Sequence, residues 1–159
     1  EYLDRIAAIR ERLPNATFST DIIVGFCSET DEEFEMTNAL MKEVGYDMAY
    51  IFRYSQREGT QAAKTLADDV PEEVKCERNQ ILLGTLKEHV SKANAALIGS
   101  TEEVLVEGVS PRNPRRWCGR SDTNKMILFA PSPDILPGEI LPFRITRATE
   151  NALYGELAR

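Results

Sequence analysis

The chain has 159 residues, 42% hydrophobic and 28% charged, a globular composition with room for one ordinary domain or two small ones. No apolar run reaches the roughly 18 residues that a membrane-crossing helix needs, which excludes a helical membrane protein. The net charge of −7 is unevenly spread: residues 1–99 hold 11 Lys+Arg against 18 Asp+Glu, whereas residues 100–159 hold eight of each, so the second part is locally basic.

Residues 2–13 space Leu3, Ile6, Ile9 and Leu13 as a helix does, and Pro14 stops them. Phe18 to Phe26 is a β-branched apolar run suited to a buried parallel strand. A helix follows, with Ser28 or Thr30 as N-cap, Phe34, Leu40, Met41 and Val44 as its inner stripe, and Gly45 as its cap. Tyr46 to Tyr54 reads as a second strand. Strand, helix and strand make one βαβ unit and imply a parallel sheet. Two strands cannot stand alone as a parallel sheet, and the chain opens at Glu1 inside a helical pattern, so a piece of a longer polypeptide is expected. The uncovered edges at 18–26 and 46–54 are expected to be covered by pairing with another copy or by loop collapse. Ser55 to Asp69 reads as a polar loop.

Pro71 stands at the first helical position of a long helix running to about Leu97, with Val74, Ile81, Leu82, Leu86, Val90, Ala93 and Leu97 on its apolar face. From Thr101 the period changes to two. Strands are predicted at Glu103–Glu107, Trp117–Arg120, Lys125–Phe129, Glu139–Thr146 and Leu153–Leu157, punctuated by Gly and Pro. Five short strands in about 60 residues suggest a small antiparallel barrel of oligonucleotide-binding type.

Five basic residues fall between Arg112 and Lys125 in an otherwise acidic chain. Arg112, Arg115, Arg116, Arg120 and Lys125, with Trp117 and Asn124 beside them, form the candidate RNA-binding set: phosphates need cations, and exposed bases need flat partners such as the Trp117 ring. Cys27, Cys76 and Cys118 show no C-x-x-C spacing. This argues against a disulfide framework or a locally spaced metal site and fits a reducing, cytoplasmic setting. His89 lies mid-helix with no partner motif, so no histidine base is expected, and no catalytic or metal-ligating residue is assigned.

Several stretches, in order, resemble the radical S-adenosylmethionine (SAM) methylthiotransferases. Thr20-Asp-Ile-Ile-Val-Gly-Phe-Cys-Ser-Glu-Thr is similar to their T-D-I-I-V-G-F-P-G-E-T segment, and Tyr54-Ser-Gln-Arg-Glu-Gly-Thr-Gln-Ala-Ala to their Y-S-x-R-x-G-T-x-A-A loop. Val70-Pro-Glu-Glu-Val-Lys with Glu77-Arg resembles the helix that follows. Glu103-Val-Leu-Val-Glu-Gly, Gly119-Arg and Thr123-Asn-Lys resemble the appended RNA-binding TRAM barrel. The chain departs from the pattern at Cys27-Ser28, where the family has Pro-Gly, and at Glu58 and Gln61, where prolines are common.

The resemblance implies an α/β plus all-β chain. Residues 1–70 would be the incomplete C-terminal part of a (β/α) radical SAM barrel, 71–99 a connecting helix, and 100–159 a five-stranded antiparallel TRAM barrel. It further implies an enzyme that adds a methylthio group to C2 of N6-isopentenyladenosine beside the anticodon, using SAM and two [4Fe-4S] clusters. The cluster-binding cysteine motifs of the family are not in this sequence, so no cofactor is expected on this chain alone, which would supply grip on the tRNA anticodon stem-loop and be inactive by itself. Asp21 and Arg57 are the candidates for the SAM-side wall, a carboxylate for ribose hydroxyls and a guanidinium for the methionine carboxylate. The ribosomal protein S12 branch, the threonylcarbamoyladenosine branch and a non-catalytic RNA-binding adaptor remain the alternatives.

Overall fold

The structure, a computed structural model, describes residues 1–158. The elements are α1 (Tyr2–Arg12), β1 (Ser19–Val24), α2 (Asp31–Val44), β2 (Met48–Arg53), α3 (Gln61–Thr65), α4 (Glu72–Ala96), β3 (Thr101–Ser110), β4 (Asn113–Ser121), β5 (Met126–Phe129), β6 (Ile140–Ala148) and β7 (Leu153–Leu157). They form two compact units that divide within α4, Glu1–Val90 and Ser91 onward. Among the described residues no helix is long and apolar enough to cross a membrane.

In the first unit, β1 and β2 pair in parallel with Ser19 opposite Met48 and Ile23 opposite Phe52. Residues alternate across the sheet. Ile22, Val24, Ala49 and Ile51 face a core shared with Ile6 of α1, Phe34 and Met41 of α2 and Leu82 of α4. The opposite face carries Ile23, Tyr50 and Phe52, each more than half exposed. Of the two caps proposed for α2, Thr30 is the one used. Its hydroxyl accepts from Glu33 N at 3.2 Å while the Glu33 carboxylate accepts from Thr30 N at 2.9 Å, a reciprocal capping box. Gly45 ends the helix at φ 59°, a left-handed conformation that glycine adopts without a Cβ penalty.

Two expectations for this unit need correcting. The stretch read as a polar loop contains α3, whose Ala and Lys favour helix and whose start is capped by Thr60 accepting from Ala63 N at 3.2 Å. On α4, Ile81 is exposed while Leu82 is fully buried, because adjacent helical positions point about 100° apart. The buried face of α4 also carries two cations. Lys75 pairs with Asp68 at 2.5 Å. Arg78 pairs with Glu29 at 2.6 Å and Asp31 at 2.7 Å, with its own side chain 6% exposed. Asn79 donates to the Ile51 carbonyl at 2.9 Å, so α4 satisfies part of the free side of β2.

The second unit is a closed barrel in the order β3-β4-β5-β7-β6. Four neighbouring pairs are antiparallel, but β5 and β7 run parallel, with Ile127 opposite Leu153 and Leu128 opposite Tyr154. The barrel is therefore mixed rather than antiparallel throughout. The chain returns after β6 by a short turn, and β7 inserts between β5 and β6, which fixes its direction along β5. Val104, Val106, Ile127, Phe143, Ile145 and Leu153 fill the interior, and the Phe129 and Phe143 rings meet at 4.3 Å. A Cβ on Gly119 would lie 2.5 Å from the Leu105 carbonyl oxygen, so the Gly119-Arg motif marks a close approach of β4 to β3.

Arg78→Met leaves the half-buried Glu29 carboxylate without its charge partner. It should lower the stability of the first unit by about 3–5 kcal/mol, measured by urea unfolding followed by circular dichroism. Glu29→Gln combined with Arg78→Met should recover part of that loss.

Candidate nucleic-acid interface

β3 and β4 form a hairpin closed by the Ser110–Asn113 pair, with Pro111 and Arg112 in a two-residue turn. Asn113 Oδ1 accepts from Arg115 N at 3.1 Å and fixes the first residues of β4. Arg112, Arg115 and Arg116 are all exposed there. No ion pair engages any of the three among the described residues. Clustered guanidinium groups that lack a carboxylate partner suit phosphate oxygens.

The other three candidates are held differently. Arg120 Nε lies 3.3 Å from the Glu107 carboxylate, and its guanidinium donates to the Asn124 carbonyl and side-chain oxygens at 3.3 and 3.2 Å. Asn124 sits at φ 61°, which its short amide tolerates. The turn is closed by Ser121 N donating to Lys125 O at 3.0 Å and Lys125 N donating to Ser121 Oγ at 3.1 Å. Lys125 Nζ donates to Asn94 Oδ1 at 3.1 Å, and Asn94 Nδ2 to the Thr149 carbonyl at 2.8 Å. The Thr123-Asn-Lys stretch thus builds a turn whose side chains brace the barrel and the last turn of α4. Trp117, the only tryptophan, packs against the barrel core.

Arg116 also takes part in a grouping that sequence reasoning missed. Its guanidinium carbon lies 5.9 Å from the centre of the Tyr154 ring, and that of Arg147 lies 3.5 Å from the same ring. These residues border a concavity of about 250 Å³ with Thr146 and Glu156. The only signal in the sequence was the outward, period-two position of Tyr154 on its strand, which does not by itself reveal its neighbours.

The other two candidates lie on β1 and in the loop after β2. Asp21 is the third residue of β1, exposed and opposite Tyr50, rather than at the strand end. Arg57 is exposed in the loop after β2, its carbonyl accepting from Thr60 Oγ1 at 2.8 Å. No hydrogen bond or ion pair of either side chain occurs among the described residues, and the structure does not join them. Between the two loops Tyr54 is buried with its hydroxyl unpartnered, under the Lys75 ammonium at 5.4 Å from the ring. The adjacent Cys27 thiol, with burial, pushes the Tyr54 pKa up. Among the described residues no three His, Cys, Asp or Glu side chains converge as metal ligands, so the side chains present do not fit a cluster.

Ser28, in the first of these loops, adopts φ 65°. Asp69 holds it by accepting from Ser28 N at 2.6 Å and Ser28 Oγ at 2.9 Å, and these bonds lower the Asp69 pKa. A carboxylate with a depressed folded pKa stabilises above its unfolded value and loses that contribution as pH falls through the folded one. Hydrogen exchange at Ser28 should therefore be slow and constant from neutral pH down to about pH 4 once corrected for intrinsic rates. It should accelerate only below the ordinary carboxylate range, and Asp69→Asn should abolish that step.

Residues 95–158 match the TRAM domain. The chain is also 46% identical over 157 residues to a tRNA-2-methylthio-N(6)-dimethylallyladenosine synthase of Opitutus terrae, covering 99% of this chain and 32% of that protein. It is 47% identical over 158 residues to the Bacillus mycoides protein of the same name, covering 99% and 31%, and 44% identical over 156 residues to that of Porphyromonas gingivalis strain W83, covering 98% and 34%. The chain thus spans about a third of the length of the curated relatives it matches. Residues 95–158 thus match the TRAM domain, and nearly the whole chain is similar to synthases of that name.

Proposed function

We propose that this chain is the substrate-gripping portion of a cytoplasmic tRNA methylthiotransferase that adds a methylthio group to C2 of N6-isopentenyladenosine beside the anticodon. The observation that carries the reading is the collinear similarity to synthases of that name along 98–99% of the chain. The unpaired arginines of the β3–β4 hairpin, on a matched TRAM domain, give it a physical basis. Residues 1–70 are read as part of the barrel wall of the complete enzyme, the exposed face of Ile23, Tyr50 and Phe52 lining its interior. In that enzyme SAM and two iron–sulfur clusters supply the radical and sulfur chemistry. This chain's own part is to bind and orient the RNA, with Asp21 proposed on the SAM-facing wall and Arg57 in the loop beside it.

RNA grip is tested by titrating the chain with an anticodon stem-loop at several salt concentrations. Log K should fall linearly with log salt, by about 0.7–0.9 for each phosphate engaged. Arg112→Glu and Arg115→Glu should weaken binding to all RNA sequences alike, since phosphate contacts carry no base information. Salt-independent binding, or none, counts against the reading.

The apolar sheet face and the unpaired strand edges of the first unit are also proposed to drive self-association of this chain. Size exclusion with light scattering should show a concentration-dependent dimer. A monomer at all concentrations would refute this part alone.

A further inference from the structure

On β6 the inward positions are Phe143 and Ile145, so strict alternation would send Arg147 inward as well. It does not go there. The β6–β7 register shifts between Ile145 and Arg147: Ile145 faces Gly155, but Arg147, not Thr146, faces Tyr154. Thr146 and Arg147 are consequently both exposed. A bulge of this kind inserts one residue and re-aims the side chain that follows. Here it lays the Arg147 guanidinium over the Tyr154 ring at 3.5 Å.

The parallel β5–β7 pair completes the arrangement. Trp117 is opposite Phe129, and Leu128 is opposite Tyr154. The outer surface therefore runs from Arg116 on β4, past Ala130, to Tyr154 on β7 and Arg147 on β6, and these residues border one concavity of about 250 Å³. That volume is below the roughly 300–1,000 Å³ of pockets for drug-sized ligands and suits one flat group. Arg116 and Arg147 both lie within the cation–π range of about 6 Å of the same ring. Two cations gathered at one ring repel each other inside a Debye length of about 10 Å. Neither has an ion pair among the described residues. Glu156, on the rim, disfavours a phosphate at its end of the concavity.

From these features we infer that Arg147, Tyr154 and Arg116 form a nucleotide-stacking subsite for one unpaired RNA residue, the base lying on the Arg147–Tyr154 stack and a flanking phosphate on Arg116. The inference rests on the RNA-binding reading above and adds to it a location and a mode. Binding here is stacking of a splayed-out base on a guanidinium plane preorganised by an aromatic ring. It is distinct from the phosphate contacts assigned to Arg112 and Arg115. A paired base cannot enter, because its faces are occupied by its neighbours in the helix.

The test uses the 159-residue chain with three fluorescent RNAs: an anticodon stem-loop, the same stem-loop made abasic at one loop position at a time, and a fully paired duplex. Tyr154→Leu should weaken stem-loop binding by roughly 5- to 150-fold, the range of one base–aromatic stack. Arg147→Lys keeps the charge on an exposed side chain but loses the flat face, so it should weaken binding in the same direction without disturbing the fold. Both should leave the salt slope and duplex binding unchanged, and both effects should disappear for one particular abasic RNA. If Arg147→Lys is harmless while Arg147→Ala weakens stem-loop and duplex equally and lowers the salt slope by about one, Arg147 is only a phosphate contact and the subsite is overturned. Binding that Arg115→Glu weakens and that Arg147→Lys and Tyr154→Leu leave intact overturns the subsite and spares the RNA-binding reading. A wild-type chain that binds no RNA overturns both.

Discussion

The buried Arg78 guanidinium is the tie on which the first unit depends. It accepts no alternative partner in water, being almost wholly enclosed, and it holds Glu29 by both side chain and backbone while reaching Asp31 at the start of α2. Glu29 in turn accepts from Gly25 N at 2.7 Å. One side chain of α4 therefore fixes the loop leaving β1, the first turn of α2 and the position of α4 on the sheet. An isolated two-stranded parallel sheet has too little core to impose that order itself. A buried ion pair is weak support for net stability when compared with an apolar replacement. Its effect here is one of register: a hydrophobic side chain at 78 would fill the space but would not select one loop conformation. Gly25 shows how tightly the selection is made, since at φ 69° any Cβ would collide with the stem of Lys75.

The barrel depends on a different constraint, the insertion of β7 between β5 and β6. Closure removes the free edges that would otherwise template aggregation, and it does so with strands of only four and five residues on one side. The parallel pairing that results is the less regular choice, but it places the outward side chain of Tyr154 across from β6 where the bulge has exposed two consecutive residues. The surface chemistry of this region is thus a product of topology. No local stretch encodes it.

This separates what was legible in the sequence from what was not. An N-cap at Ser28 or Thr30, the Gly45 cap, the βαβ order and the change of period at Thr101 are local signals, and the fold carries them with Thr30 as the cap. The hairpin arginines were legible as a charge cluster because proximity in sequence is proximity in a hairpin. Arg147 and Tyr154 were not, since seven residues and a register shift separate them. Arg120, Asn124 and Lys125 were seen, but their engagement with Glu107, with one another and with Asn94 was not, because hydrogen-bond partners drawn from α4 and β3 leave no trace in a local pattern. Likewise nothing in the sequence pattern marked Lys75 and Arg78 as buried. Their burial is matched by Asp68, seven positions before Lys75 across a loop, and by Glu29 and Asp31, 49 and 47 positions from Arg78.

The charge distribution gives these features a common consequence. An RNA approaching a chain with net charge −7 meets a repulsive long-range field, and that field decays within about 8 Å at physiological ionic strength. Attraction is confined to places where unpaired guanidinium groups stand clear of carboxylates. Arg112 and Arg115 meet that condition, whereas Glu156 borders the concavity shared by Arg116 and Arg147, and Arg120 is offset by Glu107. Binding on such a surface gains little from steering at a distance and much from local fit. A uniformly basic barrel would hold any polyanion, whereas under the proposed reading this one would favour an RNA whose phosphates and at least one unstacked base coincide with a few fixed positions.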